Sequence, residues 1–189
     1  GSRDGTPALA APLADRVIAS PRGRALQMNA GAETIARAAD ADVLLFLHAD
    51  TLLPPEADRL VLGAIARGAR WGRFDVHISG RPRLLRVVAA LMNVRSRWTG
   101  IATGDQAIFV ERALFEAISG FPAQPLMEDV ELSRRLRALA RPACLRERVV
   151  TSGRRWESRG VWRTVWLMWR LRWRYWRGEA PEALAREYR

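Results

Sequence analysis

The stretch Asp42–Pro55, DVLLFLHADTLLPP, decides the predicted fold of this chain. The apolar run Val43–Leu47 is unbroken and is followed by His48, Ala49 and Asp50, and then by two prolines. Continuous apolarity over a short segment is typical of a strand that is buried on both faces, as in the middle of a parallel sheet. We therefore predict a central parallel strand that ends in a histidine and a carboxylate.

The sequence around this strand alternates between strand and helix patterns. Strands are predicted at residues 17–20, 42–50, 72–79 (short and antiparallel), 106–110 and 143–152, and helices at 22–39, 54–68, 82–98, 111–119 and 128–140. This alternation indicates the α/β class. Because no repeat or low-complexity linker interrupts the 189 residues, we predict one domain over residues 1–158 and a helical tail over 159–189.

The charge of the chain is strongly positive. All 31 basic residues are arginine, and the formal net charge is +11. Such a charge favours anionic partners, namely phosphates, nucleic acid or an acidic membrane surface. The single cysteine, Cys144, excludes an internal disulfide framework and is typical of a reducing compartment, so we predict a cytoplasmic protein. No apolar run approaches the roughly 18 residues of a membrane span.

Two polar residues stand at the predicted carboxyl end of the strand over 42–50. Ligands of open α/β sheets lie at that end of the strands. Asp50 fits a ligand of magnesium or manganese, which prefer carboxylate oxygen, but it also fits a cap of the following helix. For His48 we favour a hydrogen-bonded imidazole at the strand end over a direct metal ligand.

A group of acids opens the predicted helix over 128–140. Glu128, Asp129 and Glu131 lie in its first turn, where the helix dipole by itself favours negative charge. Paired carboxylates also offer a chemistry that capping does not require. One can hold a site in place while the other takes a proton from an attacking hydroxyl group.

The segment TSGRRWESRG places two adjacent guanidinium groups beside a tryptophan. Arg154 and Arg155 precede Trp156 in a stretch flanked by glycine. Arginine forks match the geometry of phosphate oxygens. A solvated basic loop is the alternative interpretation.

The segment TGIATGDQAIFV contains a further candidate loop. Gly100 and Gly104 allow the backbone to approach a ligand closely, and Asp105 and Gln106 follow at the start of a strand. A simple turn is the alternative interpretation of this pattern.

The order of these segments resembles the family 2 glycosyltransferases of the GT-A fold, a Rossmann-like mixed sheet flanked by helices. The resemblance covers nearly the whole chain and is carried by SRDGT, SPRGRALQMNAGA, LLFLHADT, WGRFDV, TGDQAIFV, PLMEDVELSRRL and TSGRRWE. The same motifs look like one bacterial branch of the family, of the radical-SAM/selenodomain-associated kind, some members of which are linked to arsenosugar biosynthesis. The implied reaction is an inverting, metal-dependent transfer of a sugar from a nucleotide-diphosphate donor to a hydroxyl acceptor.

The resemblance also implies roles for single residues. Asp50 matches the last acid of the Asp-x-Asp motif that holds Mn²⁺ or Mg²⁺ on the donor diphosphate, and His48 stands where the first acid usually is. Asp129 matches the catalytic base, with Glu128 beside it. The residues expected to bind donor or acceptor are Asp4, Arg24, Asn29, His48, Gly104, Asp105, Gln106, Arg154, Arg155 and Trp156.

One part of the family pattern is absent from this sequence. Family members normally begin with a strand, a helix and a second strand that form the floor of the nucleotide pocket. About 40 to 50 residues would be needed to supply them. The resemblance therefore implies a GT-A domain that lacks its first strand and helix.

The tail contains five of the eight tryptophans. Trp162, Trp166, Trp169, Trp173 and Trp176 follow spacings of 4, 3, 4 and 3, which place them on one stripe of a helix flanked by arginine. Packing on the domain or on a second copy of the chain is one interpretation. The other is binding to the inner face of the cell membrane, because tryptophan and arginine suit the headgroup region of anionic lipid.

Three rival functions remain open at this point. A nucleic-acid-binding module would explain the arginines and tryptophans of the tail but not the acids at 50, 105 and 129, so we expect no specific nucleic-acid partner. A nucleotidyltransferase-like enzyme would also use acids and a metal, and PRGRA is only a faint match to its basic loop. The third is a basic fragment that binds a membrane or a partner without catalysis.

Overall fold

The computed structural model describes Ser2, residues 4–38 and residues 41–188, so Ala39, the last residue of the helix predicted over 22–39, lies outside the described residues. The chain is a mixed α/β structure. Its strands are β1 (Val43–Phe46), β2 (Thr51–Leu52), β3 (Trp71–Ser79), β4 (Ile108–Glu111) and β5 (Ala143–Ser152). The helices are α1 (Thr6–Ala10), α2 (Arg24–Ala38), α3 (Ala57–Ala66), α4 (Leu84–Thr99), α5 (Arg112–Ala117), α6 (Glu128–Leu139), α7 (Arg154–Arg159), α8 (Val161–Trp176) and α9 (Pro181–Tyr188), with 3-10 turns at Ala11–Leu13 and Gly104–Gln106.

The five strands form one mixed sheet in the order β1-β4-β3-β5-β2. β3 and β5 pair in parallel from Gly72↔Ala143 to Ser79↔Ser152, with an irregularity between Phe74 and Asp75. The other three neighbouring pairs are antiparallel. The strand predicted to be short and antiparallel, β3, is therefore a long central strand that is antiparallel to β4 but parallel to β5.

The prediction of a central parallel strand at 42–50 is wrong. β1 spans four residues and pairs in antiparallel fashion with β4, and none of the strands that the structure describes lies against its other edge. Only Leu44 of this strand is buried, whereas Leu45 is 36% and Leu47 is 44% exposed. An apolar run indicates a preference for burial, but the number and direction of the neighbouring strands depend on the rest of the chain.

The strand predicted at 17–20 is also wrong. These residues have no regular secondary structure, and Val17 and Ile18 are exposed. A β-branched segment becomes a strand only when another strand offers it a ladder of hydrogen bonds, and no described strand pairs with this one. The helix predicted over 22–39 is confirmed as α2, and the strand predicted over 143–152 as β5.

Helices cover both faces of the sheet. On β4, Ile108 and Val110 belong to one core cluster and Phe109 to another, as expected because alternate side chains of a strand point to opposite faces. The first cluster joins the sheet to α2, α5 and α6, and the second joins it to α3 and α4. Since α2 and α6 pack on the same face, their amino-terminal residues can meet.

The tail helix packs beside the start of α6. Leu171 of α8 and Leu184 of α9 are fully buried in a third cluster with Leu126 and Met127, which directly precede α6. Among the helices in the described ranges, none is both long and apolar enough to cross a membrane.

Candidate functional site

Three strands of the sheet point in the same direction, opposite to β4. β1 and β3 both run antiparallel to β4, and β5 runs parallel to β3. The carboxyl ends of β1, β3 and β5 therefore lie at the same edge as the amino end of β4. This is the edge at which open α/β sheets bind ligands.

Three polar contacts join the predicted site residues at this edge. The Nε atom of Arg24 lies 2.7 Å from Oε1 of Glu128. The backbone nitrogen of Gly104 donates to Oδ2 of Asp129 at 2.8 Å, and Nδ1 of His48 lies 3.4 Å from Oδ1 of Asp105. Segments that are far apart in the chain thus line one narrow cleft of about 10 Å³, whose walls are Met28, Phe46, His48, Gly104, Ile108, Phe121, Glu128 and Asp129.

Backbone hydrogen bonds fix the carboxylate of Asp129. Its Oδ2 accepts from Gly104, and its Oδ1 accepts from the backbone nitrogen of Val130 at 2.8 Å. Asp129 lies in the first turn of α6, where the helix dipole favours a negative charge. Each oxygen keeps one lone pair free for a further donor, so the carboxylate is oriented without being saturated.

Glu128 is a buried acid held by one arginine. Its side chain is only 2% exposed, and that of Arg24 is 43% exposed. Burial and the charge of Asp129 raise the pKa of Glu128, while Arg24 acts against both. The Oε2 atom of Glu128 has no hydrogen-bond partner among the residues that the structure describes. The pair therefore joins the start of α2 to the start of α6 across the cleft.

His48 and Asp105 form the second charged pair of the cleft. The hydrogen bond that His48 donates to Asp105 raises the pKa of His48, although burial and the charge of Arg24 oppose it. Removal from water would raise the pKa of Asp105, but the hydrogen bond and charge of His48, with Arg24, outweigh that effect and lower it. Gly104 is required here because a Cβ atom would lie 2.3 Å from Nε2 of His48.

The segment with Arg154, Arg155 and Trp156 lies beside Asp50. The backbone nitrogen of Ser152 donates to the carbonyl of Asp50 at 3.2 Å, because β2 pairs with the end of β5. Instead of the predicted loop, α7 begins at Arg154. Burial and neighbouring arginines lower the pKa of Arg155, while Asp105 and Asp50 act in the opposite direction. Trp156 packs against the cluster beneath α3 and α4.

The structure gives three of the predicted ligand-binding residues other contacts. Asn29 exchanges two hydrogen bonds of 2.9 Å with the backbone of Phe121. Gln106 is fully buried, and its Oε1 accepts from the backbone nitrogen of Thr103. Asp4 lies in an exposed amino-terminal segment, where it accepts from the backbone nitrogen of Thr6, and hydrogen bonds from the side chain and the backbone of Thr6 lower its pKa. A direct contact of these three residues with a ligand stays a prediction.

Two arginines close to the cleft were missed by the sequence analysis. Arg95 of α4 and Arg172 of α8 are both half-buried, and their charges act on Asp129 or are acted on by it. All 31 basic residues of the chain are arginine, so residue type does not distinguish these two from the others.

The side chains at the cleft fit a metal ion that is shared with a substrate, but not one that is enclosed by the protein. Within residues 2, 4–38 and 41–188, no group of three or more His, Cys, Asp and Glu side chains could hold a metal ion. Asp50 offers an exposed carboxylate there, whereas the carboxylate of Asp105 is already paired with His48. One carboxylate fits a Mg²⁺ or Mn²⁺ ion held mainly by the diphosphate oxygens of a substrate, but not an ion enclosed by protein ligands.

A separate cavity lies between β3 and α4, where it is lined by Val76, His77, Arg86, Ala89, Ala90, Asn93 and Arg148. It contains none of the predicted site residues. Asn93 is already engaged, since it exchanges hydrogen bonds of 2.9 and 3.0 Å with the backbone of Val76.

The cleft at the sheet edge combines an oriented carboxylate, a buried acid–arginine pair and further arginines. Such a set can neutralise an anionic group and accept a proton from a neighbouring hydroxyl group. No family model, curated protein or solved structure matches this chain.

Proposed function

We propose that this chain is an inverting glycosyltransferase that moves a sugar from a nucleotide-diphosphate donor to a hydroxyl acceptor. The observation that carries the proposal is the hydrogen bond from Gly104 to Asp129, which joins the loop of Asp105 to the acids of α6. The resemblance to family 2 enzymes led us to expect these two segments in one site. The mixed sheet with helices on both faces is consistent with a GT-A fold, which is part of the proposal.

The arginines of the cleft are suited to a diphosphate. Arg24 pairs with Glu128 from α2, and Arg155 of α7, whose guanidinium group lies over the ring of Tyr188, is close enough for the charges of Asp105 and Asp50 to act on it. As the bond between sugar and diphosphate breaks, negative charge grows on the departing oxygen, and fixed positive groups stabilise it. A divalent ion held by Asp50 would add charge neutralisation at the same phosphate oxygens.

Asp129 is the candidate base. In the proposed step the acceptor oxygen forms a bond to the anomeric carbon while the bond from that carbon to the diphosphate oxygen breaks. The diphosphate leaves with the electron pair, and the acceptor proton passes to a carboxylate oxygen of Asp129. Attack on the face opposite the diphosphate inverts the anomeric carbon.

Glu128 is the candidate positioning residue. Its buried carboxylate holds Arg24 at 2.7 Å and thereby fixes the guanidinium group at the edge of the cleft. Because Glu128 and Asp129 are adjacent, the same turn of α6 orients both the base and the arginine. Holding both reactants in line is worth several orders of magnitude in rate.

The test is Asp129→Asn, assayed for transfer with a panel of sugar nucleotides in the presence of Mn²⁺. We expect transfer to fall by about a thousandfold or more, since general base catalysis contributes roughly 10²–10⁴-fold, while donor binding measured by calorimetry stays unchanged. Asp58→Asn is the matched control, because Asp58 also lies in the first turn of a helix but outside the cleft. Turnover retained by Asp129→Asn would remove Asp129 from this role.

A second candidate function is binding to an anionic membrane surface. The stripe Trp162, Trp166, Trp169, Trp173 and Trp176 is 57% to 80% exposed, while the opposite side of α8 packs into the fold through Leu171. Arg170 lies over Trp166 and Arg177 over Trp173, so positive charge accompanies the rings. Indole rings beside arginine suit the headgroup region of anionic lipid, and a net charge of +11 complements it.

A further inference from the structure

The cavity between α4 and β3 has a volume of about 400 Å³. It exists because β4 pairs with only the first two residues of β3, so none of the described strands lies against this edge further along. There Asn93 of α4 takes the place of a strand and bonds the backbone of Val76. Ala89 and Ala90, about one turn earlier on α4, leave the space beside that contact open because their side chains are single methyl groups. The cavity is large enough for a small molecule.

Three side chains that line the cavity can donate to an anion. Arg86 of α4 and Arg148 of β5 are exposed, and His77 of β3 is half-buried. None of the three side chains has a hydrogen bond or ion pair with another part of the chain that the structure describes. None of the described residues that line the cavity is acidic. The cavity therefore combines two guanidinium groups and an imidazole with an apolar surface of valine and alanine.

The acids near these groups in the sequence do not neutralise them. Asp75, on β3, is paired with Arg73 and with Arg97, which donates to both of its oxygens. Glu147 lies in the irregularity of β5, outside the lining of the cavity, and forms no ion pair with a described residue. α4 itself contains no acid. The positive charge at the cavity is thus left for a ligand.

We propose that this cavity is a second ligand site, which binds the phosphate monoester of a small organic molecule. Arg86 and Arg148 supply guanidinium forks that match phosphate oxygens, and His77 supplies a further N–H donor. Two positive charges balance the charge of about −1.5 to −2 that a phosphate monoester carries at neutral pH. The methyl groups of Ala89 and Ala90 contact the organic part. The site shares no lining residue with the cleft, so the inference does not depend on the proposed function.

Calorimetric titration of the chain with phenyl phosphate tests the proposal. Benzoate is the carboxylate counterpart, and phenol is the uncharged one. We expect phenyl phosphate to bind, benzoate to bind about tenfold more weakly or less, and phenol not to bind measurably, since hydrogen bonds to charged groups carry the affinity. Failure of the unaltered chain to bind phenyl phosphate would overturn the proposal. Tighter binding of benzoate would overturn the assignment to phosphate.

Arg86→Gln and Arg148→Gln each remove one guanidinium group from the cavity. We expect each to weaken binding of phenyl phosphate by about tenfold or more. Because both side chains are exposed and unpaired within the described residues, the circular dichroism spectrum should not change. Arg146→Gln is the matched control, since Arg146 is also exposed on β5 but lies outside the cavity. Equal losses for all three variants would mean that the overall charge of the chain attracts the anion, which would overturn the proposal.

Ala90→Leu tests the cavity itself without changing the charge. Ala90 is exposed on α4, so a larger side chain fills the cavity without disturbing the core, and binding should weaken by about tenfold or more. Ala66→Leu, the same change at an exposed alanine of α3, should leave binding unchanged. Arg155→Gln, which removes an exposed arginine beside the cleft, should also leave it unchanged. Binding that survives Ala90→Leu, or that Arg155→Gln abolishes, would place the anion elsewhere and overturn the proposal.

Discussion

The backbone nitrogen of Gly104 donates a 2.8 Å hydrogen bond to the carboxylate of Asp129, across 25 positions of the chain. The next residue, Asp105, pairs with His48 at the end of β1, and the residue before Asp129, Glu128, pairs with Arg24. Four segments are therefore tied together by a single backbone contact and the two ion pairs beside it. Changes at any of these contacts are expected to affect the whole cleft.

Gly104→Ala should disrupt the cleft through one added methyl group. The new Cβ atom would lie 2.3 Å from Nε2 of His48, whose ring is held by Asp105, so the ring must move and the pair must weaken. We expect the free energy of unfolding to fall by about 1–3 kcal/mol, the usual cost of overpacking. Chemical denaturation measures the change.

Gly31→Ala is the matched control for that substitution. Gly31 lies within α2, and a Cβ atom there would meet nothing within 4 Å. Alanine is the better helix former, so we expect this variant to gain about 0.5–1 kcal/mol. If Gly104→Ala were as stable as the unaltered chain, the close approach of His48 would not matter to the fold.

The pair of His48 and Asp105 should make stability depend on pH. The pKa of His48 is raised in the folded chain, so folding favours the protonated imidazole. The contribution is complete below the ordinary histidine value of about 6.5 and is lost as the pH rises through the higher folded value. We expect about 0.5–1 kcal/mol, because the pair is partly exposed.

Unfolding of His48→Gln and of the unaltered chain, measured across this pH range, checks the prediction. The difference in free energy between them should be largest at acidic pH and shrink as the pH rises. A difference that grows towards alkaline pH would contradict the assignment.

Arg24→Leu should leave Glu128 buried without its partner. Since the Arg24 side chain is 43% exposed, we expect a loss of about 2 kcal/mol at neutral pH, below the range for a fully buried pair. The loss should decrease as the pH falls, because protonation of Glu128 removes the unpaired charge, and the pKa of Glu128 is already raised. Chemical denaturation at several pH values measures both effects.

Arg59→Leu is the control for an ion pair at the surface. Arg59 and Glu56 pair at 2.8 Å with both side chains largely exposed. We expect a change below about 0.5 kcal/mol, as is usual for exposed pairs. A loss at Arg59 as large as that at Arg24 would mean that burial of Glu128 does not set the cost.

The tryptophan stripe should bind anionic vesicles. In flotation with vesicles of phosphatidylcholine and phosphatidylglycerol, the unaltered chain should float with the lipid, and less so at high salt. Replacement of Trp166, Trp169 and Trp173 by alanine should lower the bound fraction severalfold, since the rings supply the apolar contact. Leu62→Ala, which removes an exposed apolar side chain of α3, is the control.

Other binding partners of the tryptophan stripe would give different results. A chain that stays with the soluble fraction whatever the vesicle composition would rule out the membrane. A larger mass in solution that the tryptophan variants abolish would assign the stripe to a second copy of the chain. Retention of a single-stranded oligonucleotide that the same variants abolish would assign it to nucleic acid.

Most helices and strands follow from local patterns in the sequence. The periodic apolar positions of 22–39 and 128–140 produce α2 and α6 because each stripe has a core to face. The tryptophan spacing likewise predicts one stripe on α8, and the structure shows that this stripe is exposed. The strand predicted at 17–20 and the central, parallel position predicted for the strand at 42–50 are wrong, because strand formation and position in the sheet both depend on neighbouring strands, and local pattern carries no information about them.

The sequence alone determined the α/β class, most helix positions and the residue types gathered at the cleft, because these depend on short-range periodicity and on chemistry that each side chain carries by itself. Only the tertiary structure decided which of the 31 arginines face the acids, that β1 is an edge strand, and that Asn29 and Gln106 are engaged by the fold. Those outcomes depend on contacts between residues distant in the chain, and such contacts are set by how the helices pack on both faces of the sheet.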